Sequence, residues 1–233
     1  MKIIWYFHVE FMGELQKINI IYEDNHLLVV EKPVNMPVCE DSSGDIDLLS
    51  VLKKYIKEKY DKPGNVYLGL VHRLDRPVSG VMVFAKTSKA ASRLSKQVVE
   101  HKLEKTYLAV VCGKVLESGE LVDYLVKDKK KNISCVTDKA HGKEARLRYK
   151  RLDYKNNFSL VEIHLETGRS HQIRVQFSSR GFPLVGDAKY NRNHDGKTSV
   201  ALFAKRLSFY HPVTKKKLVF ELDMPKRYPF NLF

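Results

Sequence analysis

Apolar residues in this chain come in short runs broken by turn-forming residues, and the longest unbroken run, Tyr107 to Cys112, is six residues. A membrane-spanning helix needs roughly 20, so none is expected. The pattern suits short strands and amphipathic helices sharing one core. With 43% of its 233 residues apolar, the chain can fill such a core, which excludes disorder as its main state. His8 and Glu10 interrupt the first apolar stretch before it reaches the length of a secretory signal. A cytosolic protein with no membrane partner is expected.

The runs Ile18 to Tyr22 and Leu27 to Val30, separated by Glu23-Asp24-Asn25-His26, predict a hairpin. Leu48, Leu49, Leu52, Tyr55 and Ile56 recur at helical spacing behind the N-cap candidates Asp45 and Asp47, and Pro63-Gly64 stops that helix. A second helix is predicted from Ser88, with Ala91, Leu94 and Val98 on one face and Lys89, Arg93, Lys96 and Lys102 largely off it. Strands are predicted over Val66–Val71, Val81–Ala85, Thr106–Cys112, Gly119–Val126, Glu144–Leu152, Ser159–Leu165 and Lys217–Leu222, and a helix over Arg169–Ser179 ending at Gly181. Lys127 to Lys131 reads as a solvated hairpin tip. No repeat or long linker divides the chain, so one α+β domain over residues 18–233 is expected, behind an extension of residues 1–17 in which Met12 is a candidate start.

Cys39, Cys112 and Cys135 are too few and too widely spaced for a disulfide framework or a zinc site, and no histidine pair has metal-ligand spacing. No metal or cofactor is expected. The net charge of +14 points instead to a polyanionic partner. Residues 1–70 hold 8 basic and 11 acidic side chains, residues 71–160 hold 20 and 10, and residues 161–233 hold 13 and 6, so the excess begins at His72-Arg73.

Two segments carry most of the chemistry. His72-Arg73-Leu74-Asp75-Arg76-Pro77-Val78-Ser79-Gly80 sets two arginines, a histidine and a carboxylate in a turn between apolar strands, where a scaffold presents reactive groups. Arginines beside Asp75 would favour its ionised form, which suits a nucleophile or electrostatic stabiliser better than a general acid. The same residues would also serve a turn that only satisfies backbone groups. In the second segment, Glu166 to Phe177, a helix would put Ser170 and Arg174 one turn apart, Arg174 offering a fork for carboxylate or phosphate. An amphipathic helix with solvated arginines fits as well. Tyr107 opens a strand, where a tyrosine is most often packing.

Taken together, these segments resemble the RluA-type family of pseudouridine synthases from about Tyr22 to Pro225. The resemblance rests on Glu31-Lys32-Pro33, His72-Arg73-Leu74-Asp75 with Ser79-Gly80, and Lys105-Thr106-Tyr107-Leu108-Ala109. Gly168-Arg169-Ser170-His171-Gln172-Ile173-Arg174, Gly186-Asp187 with Tyr190, and His211-Pro212 complete it. It implies a mixed, largely antiparallel sheet in two halves with flanking helices and a central cleft. It also implies Asp75 as catalytic aspartate, Tyr107 as active-site tyrosine, and Arg174 as the arginine paired with the aspartate. Arg73 would fill space near a displaced base. With His72, Arg76, Arg169, His171 and Gln172 it forms the expected set of substrate and RNA contacts. Val78, Gln176 and Phe203 depart from the family pattern at positions where threonine, histidine and histidine are common, which bears on substrate contacts. Many relatives carry a separate RNA-binding domain ahead of the hairpin, for which the residues before Ile18 are too few.

The implied partner is RNA, ribosomal or transfer, recognised by a monomer. The implied reaction, uridine to pseudouridine, needs no cofactor. It requires an ionised carboxylate at the sugar–base junction, a base for the carbon 5 proton, and a uridine flipped from its stack. A non-catalytic RNA-binding protein using the same basic surface is the alternative. A glycosidic hydrolase ranks last because no second carboxylate accompanies Asp75.

Overall fold

The computed structural model describes the backbone of residues 5–11 and 14–233, and side chains from residue 18 onward. Met12 lies outside the described residues. The chain folds into two compact units, Met1–Leu103 with Arg206–Leu222 and Glu104–Lys205 with Asp223–Phe233. Neither is one stretch of sequence, so no linker marks a boundary.

In the first unit, β1 (Trp5–Phe11), β2 (Glu14–Glu23), β3 (Leu27–Lys32) and β5 (Ser79–Ala85) pair antiparallel in that order, and the two-residue β4 (Gly69–Leu70) also pairs with β5. β2 therefore starts four residues before the predicted hairpin, and β1 precedes it within the segment read as an extension. The predicted strand Val66–Val71 shrinks to β4. The register sets Leu27 opposite Ala85 and Lys32 opposite Gly80. Helix α1 (Leu48–Lys59) starts at Asp47, whose carboxylate accepts the Ser50 N–H at 3.0 Å, a hydrogen bond that removes one unsatisfied donor from the first turn. Asp45, the other cap candidate, pairs with Arg76 instead. Helix α2 (Ser88–Val99) is capped by Thr87 and buries Ala90 and Leu94, leaving Lys89 and Lys96 in solvent. Its inner face packs on Leu27, Val29, Val81, Val83 and Ala85, together with Leu207 and Phe209 from β11 (Leu202–Tyr210). β12 (Lys217–Glu221) pairs with the second half of β11.

Glu23, at the end of β2, ties these elements together. Its carboxylate accepts from Lys59 and Lys86 at 2.7 Å each, from Tyr60 at 2.8 Å and from Tyr55 at 2.9 Å. Burial alone would raise its pKa, but these donors outweigh burial and hold the carboxyl at about 2.

In the second unit, β6 (Glu104–Cys112), β10 (Phe158–Leu165), β9 (Lys143–Lys155), β7 (Ser118–Asp128) and β8 (Ile133–Thr137) pair antiparallel in that order. Residues 129–132 form the hairpin tip expected from their charge. Helix α3 (Gln172–Ser178) is buried at six of its seven residues. Val175 packs on Leu125, Ala145 and Tyr190, and the Phe177 ring meets Tyr149 edge-on at 5.3 Å. The helix starts three residues later than predicted because His171 sits at φ 54°, in the left-handed region. Being buried nearly all round, it is not an amphipathic surface helix.

Because the folded pKa of Glu23 lies below its unfolded value, its contribution is present above about pH 4.5 and is lost as pH falls toward 2. Glu23→Gln is expected to cost about 3 kcal/mol at pH 7. Urea denaturation of both proteins across pH should show the gap closing below pH 4; a constant gap would contradict the assignment.

Candidate active site

The predicted turn in the first unit is built around a lysine. Lys32 ends β3, is 0% exposed, and donates its three ammonium protons to the carbonyls of Pro33 at 2.9 Å, Arg76 at 2.9 Å and Val78 at 2.8 Å. Two of those acceptors lie in the Asp75 turn, which the Val78 N–H closes by bonding the Asp75 carbonyl at 3.0 Å. Burial pushes the Lys32 amine down to about 7, Asp75 pulling it back up and Arg76 pushing it further down. Asp75 thus has a buried cation behind it. Opposite Lys32, Gly80 has φ 127°, a conformation that side chains disfavour, and this accounts for the glycine after Ser79.

The flanking residues divide by what they touch. Arg73 is exposed. Arg76 donates to the Asn35 carbonyl at 3.1 Å and the Ser43 hydroxyl at 2.9 Å, and also pairs with Asp45, so its fork holds the 35–45 loop. His72 accepts the Val83 N–H on Nε2 at 3.2 Å, joining the turn to β5.

In the second unit, Tyr107 is buried on β6, opposite Ile163 of β10. Arg174, in the first turn of α3, is 3% exposed. Its Nε and Nη2 meet the two Asp187 oxygens at 2.7 Å each, and its guanidinium lies 5.2 Å from the Tyr190 ring centre. Asp187 also accepts the backbone N–H groups of Lys189 and Tyr190 at 3.0 and 3.2 Å. The preceding Gly186 has φ 72°, and a Cβ there would stand 2.5 Å from the Thr198 carbonyl oxygen, so only glycine fits. His171 Nδ1 lies 2.8 Å from the Tyr190 hydroxyl, which accepts the Ser134 N–H at 2.7 Å. Gln172 accepts from Thr167 and the Arg169 N–H and donates to the Arg146 carbonyl. Arg169 is exposed, with Nε on the Glu144 carbonyl at 2.8 Å. Asp75 and Arg76 thus lie in the turn anchored by Lys32, with His72 tied to β5, while His171 and Arg174 gather with Asp187 and Tyr190, and Gln172 and Arg169 bond the β9 backbone.

Lys32, Asp187 and Tyr190 stand in the sequence motifs, but nothing in the sequence alone gives them work. For Lys32 the signal was a cation closing a strand otherwise nearly all aliphatic. Lys105, two residues before Tyr107 in the same motif, likewise has no role legible in the sequence, and burial lowers its pKa. Among the described residues no cluster of three or more His, Cys, Asp or Glu side chains is placed to hold a metal ion.

Residues 26–179 match the family described as RNA pseudouridylate synthase. The ribosomal large subunit pseudouridine synthase D of Zymomonas mobilis subsp. mobilis is 35% identical over 223 residues, covering 90% of this chain and 70% of that protein. An uncharacterized RNA pseudouridine synthase of Bacillus subtilis, YlyB, is 34% identical over 221 residues, covering 94% and 73%. Among solved structures, human RNA pseudouridylate synthase domain containing 4 superposes with a TM-score of 0.76 at 22% identity, covering 91% of each chain, a likeness of fold.

Removing the Lys32 ammonium leaves three buried carbonyls without their donor. Lys32→Met is expected to lower stability by about 2–4 kcal/mol at pH 7. With a folded pKa near 7 against about 10.5 unfolded, the unfolded chain binds the extra proton between those values, so the Lys32 protein gains on the variant as pH rises toward 10. Equal urea midpoints at pH 7 would contradict the anchoring role, and a gap that narrows toward pH 10 would contradict the lowered pKa.

Proposed function

The chain belongs to the RNA pseudouridylate synthase family and is an isomerase acting on RNA, and from that premise we propose that it converts a specific uridine of structured ribosomal RNA to pseudouridine, with Asp75 as catalytic carboxylate. The Lys32 anchor is the observation that carries the choice of Asp75. Three charge-assisted hydrogen bonds hold the turn, two of them to the carbonyls of Arg76 and Val78. A turn that merely reversed the chain would not need a buried ammonium, with its desolvation cost, beneath its carboxylate. The names of relatives that act on the large ribosomal subunit support ribosomal over transfer RNA.

In the reaction the bond from ring nitrogen 1 to the sugar breaks, the uracil turns, and carbon 5 bonds to the same sugar carbon. The carbon 5 proton passes to a base and nitrogen 1 regains one, so atoms balance without a co-reactant. Asp75 acts at the sugar–base junction, on the sugar or on the ring. Tyr107 stacks on the flipped uracil, and Tyr107, a water or Asp75 itself takes the proton. Arg174, held in one orientation by Asp187, is the partner that the family resemblance gives the aspartate. Flipping costs a few kcal/mol, offset by phosphate contacts for which the exposed Arg73 and Arg169 are available. His72, Arg76, His171 and Gln172 shape the loops that carry these groups.

Asp75→Asn removes the charge and keeps the shape. Its rate of pseudouridine formation on a large-subunit rRNA transcript, read by tritium release from carbon 5, is expected to fall at least about 100-fold with unchanged circular dichroism. A folded Asn variant working at the normal rate would refute the assignment.

A further inference from the structure

One motif remains without work in the reaction, His211-Pro212. His211 is buried at the end of β11, where its Nδ1 accepts the backbone N–H groups of Val213 and Thr214 at 3.1 and 2.9 Å. That leaves the proton on Nε2, which donates to Asp24 at 2.9 Å. The corner between β11 and β12 is thereby fixed on the β2–β3 turn. Helix α2 holds it from the other side. Gln97 donates to the Tyr210 carbonyl at 2.7 Å and accepts the Tyr210 N–H at 2.8 Å, and Arg93 reaches the Pro212 carbonyl at 2.9 Å.

This fixed corner and the outer face of α2 enclose an open groove of about 660 Å³. Four cations line it, Arg93, Lys96, Lys102 and Lys215, against one carboxylate, Glu100, which pairs with Lys102 at 2.8 Å and more loosely with Lys96 at 3.7 Å. Lys215 is presented from a left-handed backbone position, φ 63°. Tyr210, its backbone clamped, stays 42% exposed among them. A rigid exposed aromatic ringed by cations is the arrangement that binds single-stranded nucleic acid, the ring stacking a base while ammonium and guanidinium groups take phosphates.

The groove is separate from the Asp75 turn. Asp75 precedes the Ser79 end of β5, whereas the corner sits at the Ala85 end. There Lys86 N–H bonds the His26 carbonyl at 2.8 Å, and the His26 ring lies 5.8 Å from that of His211. Seven strand residues span roughly 20 Å, so a strand held on the groove lies several nucleotides from the target uridine. We propose that this groove is an RNA-docking subsite that holds an unpaired stretch of the substrate several nucleotides from the target uridine, with a base stacked on Tyr210 and phosphates on Arg93, Lys96, Lys102 and Lys215. The proposal rests on RNA as the substrate.

The test uses the full chain and a fluorescein-labelled, twelve-nucleotide single-stranded oligouridylate, with binding followed by anisotropy from low to high salt. Tyr210→Ala is expected to weaken binding about 5- to 100-fold, and Tyr210→Phe to bind as the unaltered protein does. Lys96→Gln combined with Lys215→Gln should reduce the slope of log affinity against log salt by about 1.4, roughly 0.7 for each phosphate no longer neutralised. On a large-subunit rRNA transcript the loss in kcat/KM should fall on KM. Folded variants that keep the original affinity and slope would overturn the subsite, and a groove that serves a protein partner would give that result. An unaltered protein that forms no pseudouridine on any ribosomal transcript would instead refute the enzymatic reading, whatever the groove variants did.

Discussion

The ammonium of Lys32 is the constraint on which the first unit's candidate chemistry depends. A lysine fully removed from water is costly, and here three carbonyl acceptors within 2.9 Å and a nearby carboxylate offset that cost. Because two of the carbonyls belong to the residues just after Asp75, the turn cannot move without unsatisfying a buried charge. The surrounding elements follow from this. Gly80 takes the positive φ opposite Lys32, Arg76 turns away to Asn35, Ser43 and Asp45, and His72 closes on Val83. Nearly every polar group near Asp75 has structural work, which keeps the carboxylate in one place.

The second unit uses the same physics with the opposite sign. Asp187 is fully buried and receives two guanidinium hydrogen bonds and two backbone N–H groups, so Arg174 is held as a planar fork in one orientation. Gly186 supplies the backbone geometry and Tyr190 the face against which the guanidinium lies. In both units a buried ion with all its partners present fixes a side chain that the family resemblance names as functional.

Much of the architecture was legible in the sequence, and the failures have physical causes. Alternating strands such as β7, β9 and β10 declared themselves, as did α1 with its cap at Asp47. β11 was missed because Lys205-Arg206 interrupts its apolar run, although Leu207 and Phe209 beyond it are core residues. The start of α3 was misplaced because composition does not reveal that His171 adopts a left-handed conformation. The motif letters around Asp75 and Arg174 were readable, but their partners were not. Asp45 reads as a helix cap and Arg76 as an RNA contact, and the two pair across 31 positions of chain, a partnership that no local pattern encodes.

The charge distribution gains a finer meaning as well. Part of the positive excess beyond residue 70 is spent internally, as Arg76, Arg146, Arg174 and Arg180 show by their ion pairs. Other cations stay outward, among them Arg73, Arg169, those around Tyr210 and the lysines of the 129–131 hairpin tip. Pseudouridine formation in ribosomal RNA is tested directly by single-nucleotide pseudouridine mapping of total RNA from cells with and without the gene. Loss of at least one site in large-subunit ribosomal RNA is the result expected, and a map with no site lost in any RNA would contradict it.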